Sequence, residues 1–355
     1  MKDRALNFLS KNANRTFDLE RDLPLPMPLG LCIEPTNRCN MSCKFCPVHL
    51  DEFEGVVGGL RFMAFDLYEK IVRDVQEMCR ATGRKLVNLN LYGDGEPLLH
   101  KQLLEMIRLA IDLQIAENIV VTTNASALTA YMAERLIVSG TTHLRVSIYG
   151  MESAFHKQLT GSNVTPQRIF DNVKYLRKLR DASGATYPWI YAKMIGASET
   201  RGQLELFKQK YTGVADEVNV ENPINWSGYA GHDLIGALDP SHEFNQSSLQ
   251  GWHRKARVNN AEKKICTTPF LSLNVKSDGK VVICIVDWSK GTIVGDIGEE
   301  SLAAIWKGSR LRDFRRMHIE QRRYENSSCQ NCNVFYNSPD NIDEIAEKDA
   351  ARLLS

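Results

Sequence analysis

The sequence predicts an α/β protein in which a parallel sheet, open or rolled into a partial barrel, precedes a smaller unit of different pattern. Six short apolar or β-branched runs alternate with helical patterns, and parallel strands need such helical connections. After about residue 225 this alternation stops. The predicted strands are Leu29–Ile33, Lys85–Leu91, Asn118–Thr122, Leu144–Tyr149, Trp189–Ile195 and Glu217–Val220.

Five helical patterns lie between these strands. Asp66 is the predicted N-cap of the first helix, and Pro166 suits the first turn of the fourth because Thr165 precedes it. Parallel α/β folds bind ligands at the carboxyl ends of their strands, so we expect the functional residues there. The predicted helices are Asp66–Thr82, Lys101–Leu113, Ala130–Ser139, Pro166–Ala182 and Thr200–Tyr211.

The C-terminal part follows a different pattern. Leu271–Val275 and Lys280–Val286 flank the turn signal Ser277-Asp278-Gly279, which predicts a hairpin, and a helix from Ser301 to Arg316 follows. Residues rich in Gly, His, Asn and Ser precede the hairpin and predict a linker or a loop over the active site. The predicted division is an N-terminal extension (1–28), a barrel (29–226), this linker (227–260), a second unit (261–336) and a C-terminal helix (337–355).

The composition indicates a soluble, cytoplasmic protein. Its 355 residues carry 44 Lys+Arg against 43 Asp+Glu, and this balance argues against binding to nucleic acid or anionic membranes. No apolar run is long enough for a membrane span, and the first thirty residues contain no signal-peptide core. Nine cysteines without a secretory signal favour metal binding or redox chemistry over disulfides.

Three cysteines, Cys39, Cys43 and Cys46, form a C-x3-C-x2-C loop directly after the first predicted strand. Three thiolates from one loop can hold three irons of a cubane cluster and leave the fourth iron open. A zinc loop is the alternative, but structural zinc sites have four ligands, and C-x3-C is an uncommon spacing for them. The pattern therefore favours an iron–sulfur site.

Four further cysteines form a second group: Cys266, Cys284, Cys329 and Cys332. Four thiolates complete a cubane without leaving an open iron. A structural zinc site has the same ligand count, and the spacing alone does not exclude it.

The first group, with Phe45 immediately before its third cysteine, resembles the radical SAM superfamily. The resemblance implies a partial (β/α)6 TIM-like barrel in which Cys39, Cys43 and Cys46 hold a [4Fe-4S] cluster. It also implies that S-adenosyl-L-methionine binds the open iron and yields a 5′-deoxyadenosyl radical, with Phe45 against the adenine.

Further residues at predicted strand ends carry the same resemblance and imply cofactor binding. Gly93, Asp94, Gly95 and Glu96 look like the Gly-Gly-Glu motif that holds the cofactor's ammonium; either Gly93 or Gly95 matches its first glycine. Asn124 resembles the family's Thr-Asn-Gly segment, with Ala125 replacing the glycine. Ser147 matches a position that contacts the ribose or carboxylate, and Lys193 could pair with the cofactor carboxylate.

Several segments around the second group resemble the SPASM extension of this superfamily, among them Cys266-Thr267-Thr268-Pro269-Phe270, Ser277-Asp278-Gly279-Lys280-Val281, Gly295-Asp296 and Ile305-Trp306. Because only four cysteines are present there, the match is to the shortened twitch form, a small α+β domain with a single auxiliary cluster. The spacing is similar to that of the dehydrogenases that oxidise 2-deoxy-scyllo-inosamine in butirosin biosynthesis, an antibiotic pathway. The resemblance implies a second [4Fe-4S] cluster active in electron transfer, and an external one-electron donor of the flavodoxin or ferredoxin type.

The predicted function is oxidation of a secondary alcohol on a small aminocyclitol, aminoglycoside or sugar-like substrate. The auxiliary cluster would accept an electron. Alternatives are a redox-neutral epimerase, a peptide-modifying maturase and a non-catalytic iron–sulfur electron carrier. The maturase is disfavoured because about thirty residues before the first strand are too few for a peptide-recognition domain.

The catalytic and substrate residues are the least defined part of this prediction. Asp287, three residues after Cys284, is a candidate base or a cap of the hairpin. Cys32 is a buried small residue or, if it points into the barrel, a hydrogen-atom donor for epimerisation. Asn225 and Trp226, after the sixth strand, are candidate substrate contacts.

Overall fold

Nine strands form one continuous mixed sheet in the structure, a computed structural model that describes residues 19–221, 263–330, 332 and 341–354. The strands are Gly30–Ile33 (β1), Leu86–Leu91 (β2), Ala116–Thr123 (β3), His143–Ile148 (β4), Trp189–Ile195 (β5), Glu217–Glu221 (β6), Ser272–Val275 (β7), Lys280–Val282 (β8) and Ile293–Asp296 (β9). Their spatial order is β6-β5-β4-β3-β2-β1-β7-β8-β9.

The first seven strands pair in parallel, and the last two are antiparallel. β1 lies between two partners, since Leu31 is opposite Leu89 of β2 on one side and Leu273 of β7 on the other. The fold class is therefore confirmed: a parallel α/β core typical of a radical SAM partial barrel, followed by a C-terminal unit that contains strands. This C-terminal unit extends the same sheet.

Twelve α-helices lie within the described residues, and all of them except Phe53–Val57 contribute buried side chains to the largest hydrophobic core. The largest hydrophobic core contains alternate residues of the strands, such as Leu31 and Ile33 of β1 and Val146 of β4. The helices are Leu19–Asp22 (α1), Phe53–Val57 (α2), Phe65–Thr82 (α3), Leu103–Asp112 (α4), Ala130–Ser139 (α5), Ser153–Thr160 (α6), Pro166–Ala182 (α7), Arg201–Tyr211 (α8), Thr268–Leu271 (α9), Leu302–Lys307 (α10), Ser309–Ile319 (α11) and Ile342–Asp349 (α12).

The opposite face of the sheet carries polar side chains. The register aligns Cys32 with Asn90, and Ser147 with Lys193. Because side chains alternate along a strand, these four lie on the face of the sheet opposite the hydrophobic core. Strand alternation thus separates a dry, helix-covered face from a polar face, which forms the inside of the partial barrel.

Several element boundaries differ from the sequence prediction. Asp66 is not the N-cap of α3: the helix begins at Phe65 after an extended Ala64, and the Asp66 carboxylate accepts from Leu67 N instead. Thr165 does cap α7, accepting a hydrogen bond from Arg168 N with Pro166 in the first turn.

In the C-terminal unit the predicted long helix is two helices, because Gly308 adopts an extended conformation between α10 and α11. The second hairpin strand ends at Val282 rather than Val286. Of the predicted C-terminal helix, the structure describes α12 and the short 3-10 turn Arg352–Leu354.

Candidate functional site

The three cysteines of the first group lie on a loop that follows β1 and is fixed by neighbouring elements. Ser42 N donates to Thr160 O at the end of α6 (2.8 Å), and Asn124 Nδ2, after β3, donates to Asn40 Oδ1 (3.0 Å). Within the loop, Cys46 N donates to Cys43 O (2.9 Å). The loop therefore has a fixed shape at the carboxyl ends of the strands.

These three thiols are buried to different degrees and close enough to interact electrostatically. Burial raises the pKa of Cys43, and repulsion from Cys46 and Cys39 raises it further. Burial also raises the pKa of Cys39, to about 11. Within the described residues, no three His, Cys, Asp or Glu side chains form the compact group that would hold a single metal ion. Clustered thiols with raised pKa values form a donor set that a positively charged iron cluster would stabilise.

The glycine loop after β2 packs tightly against the start of the cysteine loop. A Cβ atom on Gly95 would lie 2.4 Å from Arg38 O, and one on Gly93 would lie 2.5 Å from Glu34 Oε2. Glu96 N donates to Arg38 O (2.8 Å). Both glycines are therefore required by close approaches, Gly95 to the cysteine loop and Gly93 to Glu34.

The Glu96 carboxylate joins the ends of β2 and β3. Its Oε1 accepts from Thr123 Oγ1 (2.6 Å) and Leu98 N (3.0 Å), and its Oε2 accepts from Asn124 N (2.7 Å). Burial raises the pKa of Glu96 to about 7 despite these hydrogen bonds, which lower it. Because Oε2 has a single donor among the described residues, it retains acceptor capacity for an ammonium group.

Ala125 stands where the family segment has glycine, and its φ of 55° lies in the left-handed region that favours glycine. Its N–H donates to Thr123 Oγ1 (2.9 Å), and its carbonyl accepts from Asn172 Nδ2 (2.9 Å). These bonds hold the turn in a strained conformation. The turn orients Asn124 toward the cysteine loop.

Phe45 and Tyr149 form an aromatic pair beside the cysteine loop, with ring centroids 5.2 Å apart. Burial raises the pKa of Tyr149, and the nearby Cys43 thiol raises it further. Ser147, two residues before Tyr149, is also buried. The structure thus brings Phe45 and Ser147 to the same end of the sheet as the cysteines.

A network of charged side chains covers the polar face of β4, β5 and β6. Glu221 Oε2 accepts from Lys193 Nζ (2.8 Å), and Glu221 Oε1 accepts from an Arg145 guanidinium nitrogen (2.7 Å). Burial alone would raise the pKa of Glu221, but Lys193 and Arg145 lower it to about 2. The same network includes Tyr191, whose hydroxyl is 3.1 Å from Glu221 Oε1.

Cys32 lies on the polar face of β1, and its thiol donates to Tyr92 O (3.2 Å). Burial raises the pKa of this thiol, which is therefore protonated at neutral pH. Next to it, the Lys276 ammonium lies 2.8 Å from Asp94 Oδ2 and 3.4 Å from Glu34 Oε2. Lys276 follows β7, so this buried triad joins the C-terminal unit to the glycine loop.

The four cysteines of the second group line one cavity. Burial raises the pKa of Cys284, and repulsion from the other three thiols of the group raises it further. The remaining wall comes from α9, the segment after β8, α11 and the segment before Cys329. It includes Pro269, Val286, Asp287, Phe314, His318 and Arg323. Four thiols around one cavity form a closed ligand set for an iron–sulfur cluster.

Asp287 is buried in this wall and organises the loop before β9. Its Oδ2 accepts from Thr292 N (2.8 Å) and Thr292 Oγ1 (2.6 Å), while its Oδ1 accepts from Gly291 N (2.9 Å) and Ser328 Oγ (2.8 Å). These bonds favour the predicted capping role of Asp287 over a role as a base. Asn225, Trp226 and the predicted linker lie outside the described residues.

Residues 33–187 match the Radical SAM superfamily, and residues 266–333 match SPASM, an iron–sulfur cluster-binding domain. The chain therefore contains a radical SAM domain followed by a SPASM domain. None of the helices in the described ranges is long and apolar enough to span a membrane.

Two curated relatives of this radical SAM chain illustrate the range of functions in the group. The PqqA peptide cyclase of Bradyrhizobium diazoefficiens is 25% identical over 43% of the chain and 37% of its own length. The chain thus spans well under half of that relative. The tungsten-containing aldehyde ferredoxin oxidoreductase cofactor-modifying protein of Pyrococcus furiosus is 26% identical over 86% of the chain and 87% of its own length.

Solved structures show the same fold at low identity. BtrN in complex with AdoMet and 2-DOIA is 16% identical, with a TM-score of 0.53 over 86% of this chain and 93% of its own. SuiB of Streptococcus suis bound to precursor peptide SuiA is 17% identical, with a TM-score of 0.63 over 92% of this chain and 74% of its own. The predicted similarity to the butirosin dehydrogenase is confirmed at the level of fold.

The two domains imply S-adenosylmethionine and two [4Fe-4S] clusters, as predicted. The donor sets described above fit these groups: three thiols on one loop leave an iron open, and four thiols around one cavity leave none. Cys39, Cys43 and Cys46 would hold the first cluster, and Cys266, Cys284, Cys329 and Cys332 would hold the second. These individual assignments, and those of the cofactor-binding residues, remain predictions.

Sequence reasoning missed several charged residues near these positions, among them Glu34, Arg145, Glu221 and Lys276. Glu34 and Lys276 each follow the last residue of an apolar strand, and Glu221 ends β6. For these three residues, a charged side chain at the carboxyl end of a parallel strand was the available signal, whereas Arg145 lies within β4 and carries no such signal.

Proposed function

We propose that this radical SAM enzyme oxidises a secondary alcohol of a small polar substrate, an aminocyclitol, aminoglycoside or sugar-like compound, to a ketone. The charged network of Arg145, Lys193 and Glu221 on the polar face carries this proposal. A hydroxylated and amino-substituted substrate needs convergent donors and acceptors, and a partly buried network of both signs offers them. An apolar substrate would remove water from these charged groups and form no hydrogen bonds with them.

Oxidation of a secondary alcohol to a ketone removes a hydrogen atom from carbon, a proton from oxygen and one electron. When bound, S-adenosylmethionine and the two clusters supply acceptors for the hydrogen atom and the electron. The chain's own residues bind these groups, orient the alcohol and keep water away from the reacting carbon. Asp287 is the sequence-based candidate for the proton acceptor, although its hydrogen bonds favour a structural role.

The closed set of four thiols around the second cavity supports electron transfer. A cluster with protein ligands on every iron has no position for substrate, so exchange of electrons is the role its ligand set favours. An external one-electron donor of the flavodoxin or ferredoxin type would reduce the first cluster.

Anaerobic turnover with a panel of aminocyclitols, 2-deoxy-scyllo-inosamine included, tests this function. Each compound carries deuterium at the carbinol carbon. We expect deuterium in the 5′-deoxyadenosine and a ketone product, detected by mass spectrometry. Formation of 5′-deoxyadenosine at the substrate-free rate with every compound would contradict the proposal. Arg145→Met should lower kcat/KM on the accepted substrate, whereas Arg108→Met, on the exposed side of α4, should leave it unchanged.

Redox-neutral epimerisation is a second candidate, because the Cys32 thiol lies on the polar face in its protonated form. A thiol can return a hydrogen atom to a carbon radical, and the external donor would then restore it with an electron and a solvent proton. Turnover in D2O separates the candidates. An epimerase should incorporate solvent deuterium into its product, and Cys32→Ala should abolish that product. A dehydrogenase should incorporate no solvent deuterium, and Cys32→Ala should leave its ketone product unchanged.

Peptide modification is a third candidate, and its support comes from the relatives. The names of the PqqA peptide cyclase and of the SuiB complex refer to peptides. The same anaerobic assay with peptide substrates tests this function. Formation of a cross-linked peptide with stoichiometric 5′-deoxyadenosine would support peptide modification and contradict alcohol oxidation.

A further inference from the structure

His318 lies in the wall of the second cysteine cavity, and no described residue forms a hydrogen bond with its ring. His318 lies near the end of α11 and is 2% exposed. It lines the same cavity as all four cysteines of the second group. Neither Nδ1 nor Nε2 finds a partner among the described residues. Buried imidazole nitrogens are normally hydrogen-bonded, so this pair of unsatisfied atoms requires an explanation.

The neighbouring acceptors in the wall are already occupied. Asp287 receives hydrogen bonds from Thr292, Gly291 and Ser328, and the Cys329 carbonyl accepts from Arg323 (2.5 Å). The ring of Phe314 lies 5.0 Å from the His318 ring and offers no conventional acceptor. The four cysteine sulfurs line the same cavity, and they and the sulfides of the cluster that they would hold are acceptors that these bonds leave available.

The imidazole carries an N–H donor in either protonation state. A neutral imidazole carries one N–H, which suffices for one hydrogen bond to sulfur.

We propose that the His318 N–H donates a hydrogen bond to a sulfur atom of the auxiliary cluster or its cysteine ligands, and that this bond raises the cluster's reduction potential. Hydrogen bonds to cluster sulfurs stabilise the reduced state, which carries the greater negative charge. His318 thus acts through the auxiliary cluster: it makes the cluster a better electron acceptor and does not contact the substrate. The inference rests on the second cluster and not on the identity of the substrate.

His156 provides a matched control within the same chain. It is also buried, at 1% exposure, and both of its ring nitrogens lack partners among the described residues. It lies on α6, however, and does not line the second cavity.

The test is an EPR-monitored redox titration of the reconstituted holoenzyme with both clusters. The first cluster's signal is recognised by its change when S-adenosylmethionine is added, so the second can be followed separately. His318→Phe removes the donor and keeps the ring volume, while His318→Gln keeps an N–H donor.

We expect His318→Phe to retain its iron and to shift the second cluster to a more negative potential. The oxidised-to-reduced ratio at fixed potential should rise about tenfold, a shift of about 59 mV for a one-electron couple. His318→Gln should recover most of the native potential, and His156→Phe should leave it unchanged.

An unchanged potential in fully loaded His318→Phe would overturn the proposal. If that variant does not load iron, His318→Leu is compared with His318→Gln, and equal potentials in this pair would also overturn it. Loss of the second cluster in all three variants would assign His318 a structural or ligand role instead. None of these results depends on which substrate the enzyme oxidises.

Discussion

Lys276 Nζ lies 2.8 Å from Asp94 Oδ2 and thereby joins the first hairpin of the SPASM domain to the glycine loop after β2. Glu34 Oε2 is 3.4 Å from the same ammonium, and all three side chains are buried. Burial and the adjacent Glu34 raise the pKa of Asp94 to about 7, although Lys276 opposes this. The single Lys276 ammonium therefore compensates the charge of two buried carboxylates, Asp94 and Glu34.

Lys276→Met should destabilise the protein strongly, because it leaves two carboxylates buried without their cation. Removing one partner of a buried ion pair costs about 3–5 kcal/mol, and anaerobic chemical denaturation at pH 7 measures the change. The double variant Lys276→Met/Asp94→Asn should recover part of the loss. Lys280→Met, which breaks an ion pair whose lysine side chain is 39% exposed, is the matched control and should change stability little. Equal effects of the two single variants would contradict the role of the triad.

The pH dependence of stability should carry the signature of Glu96. Its pKa rises from 4.5 to about 7 on folding, so its contribution is fully present below pH 4.5 and is lost as the pH rises through 7. Glu96→Gln should therefore reduce the fall in unfolding free energy between these pH values, measured on the iron-free chain. Glu105→Gln, at an exposed position on α4, should keep the wild-type profile. A profile of Glu96→Gln identical to wild type would refute the assignment.

Lys193→Met should weaken the binding of S-adenosylmethionine if Lys193 meets the cofactor carboxylate. A hydrogen bond to a charged group is worth about 1.5–3 kcal/mol, which corresponds to a rise in Kd of roughly tenfold to more than a hundredfold. Equilibrium dialysis with the reconstituted protein measures this. Lys174→Met, on the exposed side of α7, provides the control. An unaltered Kd would assign Lys193 to the Glu221 network alone.

Asp287→Asn should impair the second cluster, because the carboxylate holds both the loop before β9 and Ser328, the residue next to Cys329. Iron content should fall from about eight to about four per chain, with the first cluster retained. Asp313→Asn, an exposed position on α11, should keep full iron content. If Asp287→Asn loads both clusters and loses only turnover, a catalytic role would be the better explanation.

Local patterns predicted the parts of the fold that local forces determine. The bounds of β5 and α7 agree with the prediction because strand-like apolar composition, the Thr165 cap and Pro166 all act within a few residues. β9 (Ile293–Asp296) was missed because its last two residues are glycine and aspartate, which leaves only Ile293 and Val294 as strand-like residues. The pairing of β7 with β1 joins residues about 240 positions apart, and no local pattern reports such a contact.

The candidate site divides in the same way. Cysteine and glycine spacings are readable because their chemistry is tied to short loops, as with Cys43 or Gly95. Lys276 and His318 were not predicted, because their roles follow from what surrounds them in the folded chain. Lys276 matters because it pairs with buried carboxylates, and His318 matters because it lines the second cysteine cavity. Neither contact can be predicted from the local sequence.

Because β7 pairs with β1, the sheet cannot be completed during translation until a strand about 240 residues after β1 has been synthesised. Glu34 and Lys276 are 242 positions apart, and translation at about 5–20 residues per second separates their appearance by roughly 12–50 s. During that interval one edge of β1 lacks its neighbour, and an unpaired edge strand invites association with other chains. Growing chains should therefore be most prone to aggregation until the last parallel strand has emerged from the ribosome.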